Sequence, residues 1–153
     1  MVVRELFKVV EESSVDPNGG STLTALTPVF KKHQVSLAYL FGSRARGTAR
    51  EDCDYDIAVL FAKEPTIIDE INLSIELAKA LQEPVDRVDV VSLNRDDTLI
   101  KRGVLREGVL IYCSDERLKR KWERAALIET LDNLALYTLY TKRTQTSLAK
   151  AGK

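Results

Sequence analysis

Two aspartates, Asp54 and Asp56, stand two residues apart at the head of the run Asp54-Tyr-Asp-Ile-Ala-Val-Leu-Phe61. In an extended strand that spacing puts both carboxylates on one face, about 6–7 Å apart along the chain. Like charges so placed at the mouth of a buried strand are costly unless a cation lies between them. A hard cation with oxygen ligands, Mg²⁺ above all, resolves the conflict; a pair of exposed acids at a strand end is the alternative. Asp89 adds a third carboxylate, near the start of the apolar stretch Val88-Asp-Val-Val-Ser-Leu93. Three strand-borne carboxylates can hold two Mg²⁺ ions about 3.5–4 Å apart, one gripping a nucleoside triphosphate and one lowering the pKa of an attacking hydroxyl. Asp86 competes for the third place, but it follows Pro84 in a connecting loop, where a solvated acid needs no explanation.

A second constellation precedes the first. Gly42-Ser43 ends an apolar segment, so backbone N–H groups and a hydroxyl meet at a tight corner suited to phosphate oxygens. Arg44, Arg46 and Arg50 follow within one short segment and could offset much of a triphosphate's charge, while Gly47 permits another sharp turn. Taken alone, a Gly-Ser pair beside an Arg cluster fits a solvated turn equally well.

These residues need elements to position them. Apolar residues at Val2, Leu6, Val9 and Val10 predict a short opening helix, and Ser13–Ser21 a loop. Leu23–His33 reads as a helix, Gln34–Phe41 as a strand ending at Gly42, and Asp54–Phe61 as a strand buried on both faces. Thr66–Leu81 carries a broad apolar stripe closed by Pro84, Arg87–Leu93 reads as a strand, Asp96–Arg102 as a short helix stopped by Gly103, and Gly108–Cys113 as a strand. Ser114 is the expected cap of a long helix over about 114–146, with Leu118, Trp122, Ala125, Ile128, Leu131 and Ala135 toward the core and Leu127, Leu134, Tyr137 and Tyr140 widening the stripe. The expectation is a mixed α/β (α+β) fold: a small sheet with the acids at one edge, flanked by helices. One domain over 1–153 is expected, its catalytic core at about 23–112.

Composition sets the outer bounds. With 23 basic against 23 acidic residues, no overall field draws the chain to nucleic acid or an anionic membrane, so any polyanion site must be local. No apolar run approaches the roughly 20 residues of a spanning helix. Cys53 and Cys113 match no zinc spacing and no signal-peptide pattern opens the chain, so a reduced, cytoplasmic setting is expected. His33, the single histidine, falls at a helix end and reads as structural. Lys119-Arg120-Lys121 beside Trp122 reads as the charged face of an amphipathic helix rather than as an RNA contact.

Gly42-Ser43, ten intervening residues, Asp54-Tyr55-Asp56 and a later strand acid together resemble the DNA polymerase β-like nucleotidyltransferase superfamily. The stretch Leu40–Ile57, with Val88–Arg95 and Val104–Tyr112, is similar to the minimal nucleotidyltransferases that act as MNT antitoxins. The resemblance implies that Gly42 and Ser43 bind the triphosphate, that Asp54 and Asp56 ligate both Mg²⁺ ions, and that Asp89 completes the metal site. It also implies ATP as substrate and a HEPN-domain ribonuclease toxin as partner, in a hetero-oligomer, with AMP passed to a toxin tyrosine. Two positions depart from the pattern: Cys53 stands where a serine is common, and Ser92 where a second acid is. Transfer to a small molecule such as an aminoglycoside is the rival within the same chemistry, and little chain follows Tyr112 to build an acceptor domain. Neutralisation of a partner by occlusion, without catalysis, is the rival outside it.

Overall fold

The computed structural model describes residues 20–45 and 53–151. The expected opening helix, and Arg46, Gly47, Arg50, Glu51 and Asp52, lie outside them. In chain order the elements are α1 (Gly20–Lys32), β1 (Val35–Phe41), β2 (Tyr55–Phe61), α2 (Ile67–Leu81), a 3₁₀ turn (Val85–Arg87), β3 (Val88–Ser92), α3 (Thr98–Glu107), β4 (Val109–Cys113) and α4 (Glu116–Ala151).

The four strands lie in the order β3-β2-β1-β4. β1 pairs antiparallel with both β2 and β4, while β2 and β3 run parallel, joined by the α2 crossover. β2 is central and buried on both faces, with Ile57, Ala58 and Val59 sealed from solvent, as its unbroken apolar run predicts. On one face Leu26 and Phe30 of α1 and Leu73, Leu77 and Ala78 of α2 pack on Ala38, Ile57, Val59 and Val88. On the other, Val104 and Ile100 of α3 and Trp122 of α4 pack on Leu37, Tyr39, Ala58 and Leu93. The result is a mixed sheet between two helical layers, as expected.

Local chemistry fixes the element ends. Thr66 and Asp69 form a reciprocal capping box at the head of α2, which holds the Asp69 carboxyl below its ordinary range through the Thr66 amide and hydroxyl. α2 closes at Gln82, which takes the left-handed conformation at φ 57° ahead of Pro84. Asn94 ties the far ends of β2 and β3 together by accepting from the Phe61 amide and donating to the Phe61 carbonyl. Ser92, the second departure from the family pattern, is buried, and its hydroxyl accepts from the Asn94 amide. His33 lies at the end of α1 with Nε2 3.3 Å from the Glu76 carboxylate, which also accepts from Lys32.

Three expectations are corrected. α3 does not stop at Gly103 but runs through it to Glu107, capped by Asp97. Burial of Val104 and Leu105 outweighs the roughly 1 kcal/mol that an interior glycine costs a helix. At the head of α4 the carboxylate that accepts from the backbone is that of Asp115, bonded to the Arg117 amide, in place of the expected Ser114 cap. The α4 stripe is also shifted: Ala125, Ile128 and Ala135 face solvent, and the inward line runs from the half-buried Trp122 to the buried Glu123, Ala126 and Thr130. Two polar members occupy that line because each is satisfied there, Glu123 by the Tyr39 hydroxyl and Thr130 by donating to the Ala126 carbonyl.

Candidate active site

The site forms where β1 ends and β2 and β3 begin. Pairing places Phe41 opposite Asp56 and Asp56 opposite Asp89, one row across three adjacent strands. Side chains in such a row share a face, and neighbouring strands are about 4.8 Å apart, so the Asp56 and Asp89 carboxylates are neighbours. Asp56 has the parity of Ala58 and Leu60, which pack on the α3/α4 side; the acids therefore open on that side, at its uncovered rim. Asp56 is half-buried, Asp89 exposed, and Asp54 exposed just before the strand.

Gly42 is fitted to this row. Its φ is +75°, which L side chains rarely adopt, and a Cβ there would overlap the Asp56 carboxylate. The missing side chain thus makes room for the acid as well as for a turn. Ser43 follows in the same turn, half-buried.

Arg44 takes a different position from the one its charge alone suggests. Its guanidinium donates from Nε and Nη2 to the Cys53 carbonyl at 2.9 and 2.6 Å, and lies 3.8 Å from the centre of the Tyr55 ring. Tyr55 packs with the α1/α2 cluster, so this contact is on the opposite side of β2 from the Asp56 carboxylate. The sequence shows an Arg and a Tyr eleven positions apart, with no local period to signal that they meet. Arg46 lies outside the described residues.

The donors at this rim suit a hard divalent cation. They are carboxylate oxygens, two of them on registered positions of adjacent strands, in a corner from which Gly42 withholds a side chain. Among the described residues no three His, Cys, Asp or Glu side chains are already gathered around one point.

Mixed sheet, helical layers and an acid row beside a Gly-Ser turn define a nucleotidyltransferase-type domain. Residues 24–117, more than half of the chain, match the family described as "Polymerase beta, Nucleotidyltransferase". The chain belongs to this family. Among curated relatives, the MJ0435 protein of Methanocaldococcus jannaschii, named as a candidate protein adenylyltransferase, is 36% identical over 84 residues, covering 55% of this chain and 87% of that protein. The protein adenylyltransferase MntA of Shewanella oneidensis is 39% identical over 79 residues, covering 52% of this chain and 55% of its own length. The chain thus spans little more than half of that MntA. Two solved structures share the fold: a chain of a toxin–antitoxin complex with AMP-PNP (TM-score 0.68, 23% identity, 80% of this chain and 98% of that one), and a chain of the tri-AMPylated Shewanella oneidensis HEPN toxin in complex with its MNT antitoxin (TM-score 0.65, 21% identity, 82% and 98%).

Proposed function

We propose that this nucleotidyltransferase transfers AMP from ATP to a tyrosine hydroxyl of a HEPN-domain ribonuclease toxin and thereby acts as its antitoxin in the cytoplasm. The observation that carries the reading is the row that sets Asp56 and Asp89 side by side next to the bare corner at Gly42. The protein adenylyltransferase relatives and the AMPylated HEPN complex support the choice of AMP as the transferred group and a toxin as the acceptor.

In this reading the Gly42-Ser43 turn receives the phosphates through backbone N–H groups and the Ser43 hydroxyl. Asp56 and Asp89, joined by Asp54, would hold the metal, and the same carboxylates orient the acceptor hydroxyl and take up its proton as its oxygen attacks the α-phosphorus in line and the bond to pyrophosphate breaks. Bound Mg²⁺ would supply charge neutralisation of the phosphates and a lowered pKa for the acceptor hydroxyl. The polypeptide's part is positioning and fixed charge rather than covalent chemistry.

The test is intact-mass measurement of a purified HEPN-domain partner after incubation with this protein, Mg²⁺ and ATP, beside Asp54→Ala. The expected outcome is a gain of one or more AMP units with the unmutated protein only. Complex formation with no mass gain for any triphosphate would replace transfer with occlusion.

A further inference from the structure

We infer that Arg44 is a positioning residue for the acidic strand and that its guanidinium acts through Cys53 and Tyr55 instead of serving as a phosphate ligand. The inference rests on the functional reading above for what the acids do, but on geometry alone for what Arg44 holds. Arg44 lies three residues beyond the end of β1 and Cys53 two residues before the start of β2. Two charge-assisted hydrogen bonds from one guanidinium to the Cys53 carbonyl, at 2.9 and 2.6 Å, therefore tie the two ends of the β1–β2 connection to each other.

The same guanidinium, 3.8 Å from the Tyr55 ring centre, holds the residue on the other side of Asp54. Asp54 thus has both of its chain neighbours held by one side chain, while its own side chain stays exposed. That arrangement limits the backbone at Asp54, the one of the three site acids that lies just before its strand rather than within one. Because Tyr55 and Asp56 point to opposite sides of β2, a guanidinium stacked on the first stands behind the second, away from the side on which the acids open.

A fork and a planar stacking surface are both needed, and an ammonium has neither. Arg44→Lys is therefore expected to behave like Arg44→Ala although it keeps the charge. Tyr55→Leu, which keeps apolar bulk but removes the ring, should resemble both, and Tyr55→Phe should resemble the unmutated protein.

Amide hydrogen exchange over Cys53–Asp56 reads the clamp directly, and AMP-PNP binding titrated with Mn²⁺ reads its consequence. Exchange there should quicken by about tenfold in Arg44→Ala, Arg44→Lys and Tyr55→Leu. The Mn²⁺ concentration needed for AMP-PNP binding should rise together in all three. Unchanged exchange in Arg44→Ala, or nucleotide binding lost in Arg44→Ala yet intact in Arg44→Lys and Tyr55→Leu, would overturn the inference and make Arg44 a phosphate ligand or a bystander. Failure of the unmutated protein to bind AMP-PNP at any Mn²⁺ concentration would count against the nucleotidyltransferase reading, while the exchange result would still decide the clamp.

Discussion

At the scale of single residues, the site depends as much on an absent atom as on the acids. Gly42 has φ +75°, and a Cβ would overlap the Asp56 carboxylate. Gly42→Ala is expected to cost about 1–2 kcal/mol for the left-handed conformation. It should also displace Asp56, and misplacement of about 1 Å at a reacting centre can lower a rate by about two orders of magnitude. Steady-state AMP transfer compared with thermal unfolding checks this; a folded Gly42→Ala variant of full activity would show that Gly42 does not set the acid's position. The sequence made Gly42, Asp54, Asp56 and Asp89 visible because turn chemistry and period-two spacing are local properties. The placement of Arg44 was not visible, since one Arg in a cluster of three carries no mark of which side of a strand it will occupy.

At the scale of elements, the question is how α4 and β1 are held face to face. Tyr39 is fully buried, meets Trp122 in a tilted ring contact with centroids 5.7 Å apart, and donates to Glu123 at 2.8 Å. Burial, with the Glu123 carboxylate beside it, pushes the Tyr39 phenol far above its ordinary range and favours its protonated, donating form. Tyr39→Phe leaves the packing and strands a buried carboxylate, which should destabilise the protein by about 1–3 kcal/mol. Urea unfolding measures the change, and a loss near zero would mean that Glu123 finds water or another donor. The expected α4 stripe missed this face because it sought apolar residues at helical steps, whereas the face is completed by Glu123 and Thr130. Polar residues enter a core line only where a partner waits, and that partner lies on β1, 84 residues away for Glu123.

For the whole molecule, α4 reaches beyond what it covers. Its 36 residues span about 54 Å, against about 25 Å or less for any strand of the sheet. Leu136, Leu139 and Tyr140 are 64%, 62% and 71% exposed, so the stripe that Tyr140 was expected to widen does not reach the core of the chain there; the side chain of Tyr137 lies outside the described set. Further along, Thr138, Thr144 and Thr146 bond back to carbonyls of their own helix at Leu134, Tyr140 and Lys142. Ending the chain after Tyr137 is therefore expected to change stability by about 1 kcal/mol or less, since the described side chains lost with it are exposed apart from the half-buried Thr141. Thermal unfolding of the shortened protein checks it, and a collapse of the transition would place the distal helix in the cooperative core. No described helix is long and apolar enough to cross a membrane.

By itself the sequence determined the order of helices and strands, the acids at a strand mouth and the Gly-Ser corner, because hydrophobic period, turn residues and charge repulsion act between near neighbours in the chain. Only tertiary structure decided that Asp56 meets Asp89, that Arg44 stands behind the acids, and which line of α4 is buried. Each is set by strand register or by packing between remote segments, and hydrogen-bonded pairing of distant strands leaves no trace in local spacing.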